Sequence, residues 1–148
     1  MTTTNDKSMD FNIQQILGFD PKNKNNNPDD LRLAVINGFP FSVFVTMQNK
    51  FELSKNQLSA ILGISPRTLS RRKQNNRFTP LESDILNRVA RVMAYAITVF
   101  GDVEKAKVWI KRPNRELGGE IPLNLLSTDI GSQQVEDVLH RINYGIYS

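Results

Sequence analysis

Three helix-start signals lie within 26 residues of one another, and they leave the chain little freedom there. Ser54-x-x-Gln57 is a capping box, in which a hydroxyl and an amide satisfy two orphan backbone donors reciprocally. Ser65-Pro66 sets an N-cap before a proline whose fixed φ suits the first helical position. Thr79-Pro80-Leu81-Glu82 combines both devices. Segments this short between forced starts must be short helices joined by tight turns. Gly63 sits between the first two starts, where a side chain would cost energy in a sharp turn. Leu58, Leu62, Ile64 and Leu69 are spaced to lock the helices on either side of it. The pattern predicts a helix-turn-helix. Ser59 occupies its small inward position and fits if its hydroxyl bonds back along the helix.

The charge falls in the same place. The chain carries a net +4, and six of its 19 basic residues lie between Ser54 and Leu81 with none of its 15 acidic ones. The remainder is slightly acidic. A basic block of this kind is the electrostatic footprint of a polyanion partner, although alone it would also suit a merely solvated helix. In a helix-turn-helix the second helix presents its first turns to base edges. That nominates Ser65, Arg67, Thr68, Arg71 and Arg72 as readers of operator DNA. Lys55 and Gln57, at the start of the first helix, are placed for phosphate. Lys73, Asn75 and Arg77 point toward the far backbone and should add affinity more than sequence choice.

Around this core the periodicity is helical throughout, and the predicted class is all-α. Asp29-Asp30 caps a helix carrying Leu31, Leu33, Ala34, Val35 and Ile36, stopped near Gly38. Pro40 starts another, with Phe41, Phe44, Val45, Gln48 and Phe51 at helical spacing. Phe39 to Val45 also alternates like a strand, but no partner strand is visible. A long helix from about Pro80 to Phe100 has Leu81, Ile85, Val89, Val92, Ala96 and Val99 on one face, widened by Leu86, Met93, Ile97 and Phe100. Such a helix must be covered from more than one side, by this chain or by a second copy. Gly101-Asp102 opens a helix holding Val108, Trp109 and Ile110. A loop from Pro113 to Gly119 and a short turn at Pro122 to Leu126 follow, then a last helix from about Ser132 to Tyr144 with Gly145 at its C-cap. Phe11 to Phe19 can form a short amphipathic turn, and Lys22 to Asn27 reads as a polar linker. The expected organisation is an extension (1–28), a DNA-binding domain with its connecting helix (29–100) and a small helical domain (101–148).

Several function classes drop out. There is no cysteine, so disulfides, thiol catalysis and Cys-based zinc sites are excluded. No apolar run approaches the ~18 residues of a membrane span, and no signal peptide is visible, so a bacterial cytoplasmic protein without membrane contact is expected. The one histidine, His140, falls on the polar side of the last helix, and the carboxylates are scattered. No enzyme, metal or cofactor is expected.

The last third carries a resemblance. Ala96, Phe100, Gly101, Asp102, Ala106, Trp109, Ile110, Pro113, Asn114, Leu117, Gly118, Gly119, Pro122, Leu125 and Leu126, with the ending Arg141 to Ser148, resemble the Xre/MbcA/ParS toxin-binding antitoxins. The resemblance implies a type II antitoxin whose partner is a RES-domain toxin that degrades NAD⁺. It implies a C-terminal module covering the toxin's active-site entrance, and repression of its own operon, usually as a homodimer. Under that reading Lys111, Arg112, Asn114, Arg115, Leu117 and Gly118 form one toxin-binding edge. Tyr144, Gly145, Ile146, Tyr147 and Ser148 form another, offering aromatic area and a terminal carboxylate. Trp109, Leu125 and Leu126 are expected to close the small core. The alternative is a stand-alone repressor whose last third is a dimerisation or effector module.

Overall fold

The computed structural model describes Leu17 and residues 28–145. The predicted turn from Phe11 to Phe19, apart from the buried Leu17, and the linker at Lys22 to Asn27 lie outside them. The described residues form seven α-helices: α1 (Pro28–Asn37), α2 (Ser42–Phe51), α3 (Lys55–Leu62), α4 (Pro66–Asn75), α5 (Pro80–Phe100), α6 (Val103–Lys111) and α7 (Asp129–Asn143). Two 3₁₀ turns, η1 (Arg115–Leu117) and η2 (Pro122–Ser127), bridge the last two helices. No strand occurs among the described residues, and the Phe39–Val45 ambiguity resolves as helix.

The predicted caps form. Ser54 Oγ accepts from the Gln57 N–H at 2.9 Å while Gln57 Oε1 accepts from the Ser54 N–H at 2.8 Å. Ser65 Oγ accepts from the Thr68 N–H, Thr79 Oγ1 from the Glu82 N–H, and Asp102 from the Glu104 N–H. Gly63 ends α3 at φ 69°, and its N–H returns to the Ala60 carbonyl.

The long α5 is central. It packs against α1, α2 and α3 on the DNA-binding side and against α6, α7 and η2 on the other. One chain thus covers most of it, and Leu86, Val89, Val92, Met93 and Ala96 are buried. Leu81 is an exception: expected inward, it is 80% exposed, because it falls in the first turn before the helix reaches its neighbours. The buried core runs without a break from Leu17 and Phe39 through Met93 to Leu139, so no gap marks position 100.

The α1–α2 corner is tied to the start of α5. The Phe39 N–H donates to Ser83 Oγ at 2.8 Å, the Ser83 hydroxyl to the Thr79 carbonyl at 2.8 Å, and the Phe78 N–H to the Phe39 carbonyl at 2.9 Å. Gly38 is required here: a Cβ would sit 2.3 Å from the Phe78 carbonyl oxygen, at φ +88°. Phe41, Phe44 and Phe78 stack beside it with centroids 5.5–5.9 Å apart.

The last helix starts earlier than expected, at Asp129 with Thr128 as N-cap. Gly131 lies in its first turn. A Cβ there would meet the Leu125 carbonyl oxygen at 2.0 Å, so glycine permits close packing of α7 on η2. Ser59 is buried as expected, but its hydroxyl finds no hydrogen-bond partner.

Candidate DNA-reading and toxin-binding sites

Helices α3 and α4 form the helix-turn-helix. Leu58, Leu62 and Leu69 are buried between them and Ile64 is half-buried. On α4, Ser65, Arg67 and Arg71 are exposed and Thr68 is half-buried. The Ser65 hydroxyl is already engaged by the Thr68 backbone and lies 3.1 Å from Thr68 Oγ1, so it mainly holds the helix start. Lys55, Arg67, Arg71, Lys73 and Arg77 are exposed and in no ion pair among the described residues; Asn75 is exposed as well. Gln57 keeps its amide oxygen on the Ser54 cap, which leaves only its amide nitrogen for phosphate.

Arg72 is placed otherwise than its position in the motif suggests. Its guanidinium grips Glu82 of α5 through both carboxylate oxygens, Nε to Oε1 at 2.7 Å and Nη2 to Oε2 at 3.1 Å. Its side chain is only 19% exposed. Glu82 Oε1 also accepts from the Thr79 N–H at 2.9 Å. One carboxylate therefore closes the α5 cap and fixes the far end of the reading helix. Burial raises the Glu82 pKa, but hydrogen bonds from Arg72 and Thr79 and the Arg72 charge outweigh it and hold the carboxyl below its usual range. The hydrogen bond to Glu82, and then the Glu82 charge, raise the Arg72 pKa against the opposing effect of burial. Nothing in the sequence pairs these residues beyond the capping box that fixes Glu82. The structure also brings Lys55 and Lys73 together, on one hollow of about 190 Å³ shared with Gln48 and Ser70. Neither of the last two is flagged by the motif.

The other site begins at the end of α6. Pro113 stops the helix, and the residues after it fold back on Asn114. Its Oδ1 accepts from the Glu116 N–H at 2.9 Å and caps η1; its carbonyl accepts from Leu117 and, at 2.8 Å, from Gly119; its N–H donates to the Glu120 carbonyl at 3.0 Å. Gly118 and Gly119 take φ 67° and 86°, the left-handed region this closure needs. Asn114 is thus the organiser of the loop. Leu117 turns half inward against the core, while Arg112 and Arg115 are exposed and in no ion pair among the described residues.

Lys111 is also drawn away from the edge. Its ammonium donates to the Glu52 carbonyl at 2.9 Å, at the C-terminus of α2. Buried Lys107 reaches the Glu52 carboxylate at 3.3 Å and Glu104 at 3.1 Å; its bond to Glu104, then that to Glu52, raises its pKa against the opposing effect of burial. Glu52 has a left-handed φ of 53°, so α6 grips α2 at a special backbone position.

The far edge is built on α7. Arg91 of α5 pairs with Glu136 at 2.9 Å. Tyr95 Oη lies 3.2 Å from Nδ1 of the exposed His140, whose ring packs on Tyr144 at 4.5 Å. Burial, then Tyr144 and Glu136, push the Tyr95 phenol upward. Tyr144 is 67% exposed, and Gly145 turns at φ 68°. Ile146, Tyr147 and Ser148 lie outside the described residues.

Trp109 is only partly a core residue. Beside Phe100, at 5.7 Å between ring centroids, it lines an open hollow of about 530 Å³ with Glu104, Lys105, Val108, Arg112, Pro113 and Asn114. The sequence places these apolar residues on a helix but does not say that their outer side stays uncovered.

The fold and its two exposed edges define a helix-turn-helix domain followed by a small helical toxin-binding domain. Residues 30–91 match the antitoxin Xre-like helix-turn-helix domain, and residues 96–145 match the antitoxin Xre/MbcA/ParS C-terminal toxin-binding domain. The chain is 38% identical over 118 residues to an Antitoxin Xre of Photorhabdus laumondii, covering 78% of this chain and 80% of the relative. It is 35% identical over 113 residues to an Antitoxin Xre of Yersinia enterocolitica, covering 75% and 76%, and 32% identical over 117 to one of Pseudomonas putida, covering 78% and 72%. The chain belongs to the Xre family of antitoxins. No single helix among the described residues is long and apolar enough to cross a membrane, and no group of three or more His, Cys, Asp or Glu side chains there is placed to hold a metal ion.

Proposed function

We propose that this chain neutralises a NAD-degrading RES-domain toxin through its C-terminal module and represses its own operon, as a cytoplasmic homodimer, through α3 and α4. The observation that carries the reading is the placing of free cations. Among the described residues Arg67 and Arg71 are in no ion pair on a doubly fixed reading helix, and the same holds for Arg112 and Arg115 on a separate, tightly bonded loop. Each set can meet a partner without unmaking the fold.

On DNA, Arg67 and Arg71 suit guanine edges, and Lys55, Lys73, Asn75, Arg77 and the Gln57 amide suit phosphate. Arg72 supports the helix through Glu82. A dimer would read half-sites about one turn, ~34 Å, apart. On the toxin, Arg112 and Arg115 form the near edge, on a loop that Asn114 and Gly118 shape, and Tyr144 through Ser148 form the part that reaches the NAD⁺ entrance. Lys111 ties α6 to the end of α2 and Leu117 anchors the loop to the core, rather than touching the toxin.

Co-expression tests this. The full chain should rescue cells from the RES toxin encoded beside it, and a chain lacking Tyr144 to Ser148 should not. Failure of the first, or equal rescue by the second, refutes the mechanism.

A further inference from the structure

We propose that the hollow between α6 and the Pro113 loop is an anchor pocket for one apolar side chain of the toxin, aromatic in size and flanked by a carboxylate. The proposal rests on the toxin-binding reading above and names the chemistry of the partner at that site.

The volume, about 530 Å³, lies in the range of ligand-sized clefts, ~300–1,000 Å³. Its walls are Phe100, Val108, Trp109 and Pro113. The Phe100 and Trp109 rings, tilted by 46° to each other, both line it, and aromatic surface of this kind favours an incoming aromatic. Val108 is 45% exposed although apolar, and Trp109 is half-buried, so apolar surface remains uncovered here.

The rim is cationic. Lys105 and Arg112 line it, and neither forms an ion pair among the described residues. Glu104 shares the rim, but its carboxylate is held by Lys107 at 3.1 Å. A wholly apolar occupant would desolvate two cations without compensation, which is costly; an adjacent Asp or Glu removes that cost. Continuity points the same way. Arg112, Pro113 and Asn114 belong both to the hollow and to the exposed loop, and every lining residue falls within the matched toxin-binding domain.

Trp109 is the chain's single tryptophan and reports on the pocket directly. The full-length protein is labelled with 5-fluorotryptophan and titrated with the RES toxin from the same operon. Its one fluorine resonance should shift on binding. Val108→Glu, a helix-compatible change on the open wall, should weaken toxin binding at least about 30-fold, as loss of an interface anchor does. Its melting temperature and operator binding should be unchanged. Lys105→Glu with Arg112→Glu should weaken binding about tenfold and flatten its salt dependence. A p-benzoylphenylalanine cross-linker in place of Val108 should capture a toxin segment with an aromatic residue beside Asp or Glu.

The proposal is overturned if the toxin binds while the resonance stays put and Val108→Glu remains within about twofold. Cross-links confined to the antitoxin, from its own tail or a second copy, overturn it too. Absence of any wild-type binding by calorimetry refutes the toxin-binding reading itself, a distinct result.

Discussion

The reading helix α4 and the Pro113–Gly119 loop use their conspicuous residues in opposite ways. On α4 the cations that mark the motif, Arg67 and Arg71, stay free, while unremarkable groups, the Ser65 cap and buried Leu69, hold the helix. In the loop the marking residues are the ones consumed. Asn114 bonds to Glu116, Leu117, Gly119 and Glu120, and Gly118 and Gly119 supply the turn. What remains for a partner is supplied by neighbours: Arg112, Arg115 and the apolar wall of α6. A recognition motif can therefore mark either what touches the partner or what builds the surface that does. Arg72 is the exception that tests the contrast, since it sits in the DNA motif and yet is bound inside the protein.

Glu82→Ala should have the largest effect. It removes the α5 cap and leaves the largely buried Arg72 without its counterion, costing about 3 kcal/mol, near the lower bound for breaking a buried pair because Arg72 keeps some water contact. Denaturant melts measure it. Glu82→Gln, which can still accept from the Thr79 N–H, should lose less. Because the folded-state carboxyl titrates below its unfolded value, the stabilisation is present above the ordinary glutamate range near 4.5 and is lost as pH falls through the depressed value. The Gln variant should therefore lose less stability on acidification than the parent. If Arg72→Ala instead changes operator preference with stability intact, the contrast fails.

Arg67→Ala comes next. It should leave stability within about 0.5 kcal/mol, as an exposed substitution does. It should cost about 1–3 kcal/mol on the specific operator, the value of a bidentate base contact, and much less on random DNA. Equal losses on both, in binding titrations, would make Arg67 a phosphate contact. Lys73→Ala should weaken both DNAs alike and lower the salt slope by about one.

Local signals made most of the fold legible. The starts of α3, α4, α5 and α6 were set by a hydroxyl or carboxylate within three residues of the amide it caps, and a linear reading sees that span. What it missed depends on tertiary approach. The sequence places the start of the last helix at about Ser132, three residues late, and the fit of Gly131 in its first turn against the Leu125 carbonyl exists only once η2 folds. Arg72 and Lys111 looked free because their partners, Glu82 and the Glu52 carbonyl, come from other elements. Leu81 looked inward because periodicity gives a face but not where its cover begins. The hollow beside Trp109 was hidden for the same reason.

Asn114 gives the smallest expected effect and the sharpest division. If it organises the loop, Asn114→Ala loses the cap on the Glu116 N–H and should cost about 1 kcal/mol of stability, as N-cap removal does. Asn114→Asp keeps an oxygen acceptor at the same place, so it should restore both stability and toxin affinity. Arg115→Ala, on an exposed and unpaired side chain, should leave the melting temperature alone and weaken the toxin complex only. A direct toxin contact through the Asn114 amide predicts the reverse for the Asp variant. The carboxylate would then restore stability but not binding, because it cannot donate a hydrogen bond. Melting and calorimetric titration of the three variants separate a residue that shapes the edge from one that touches the partner.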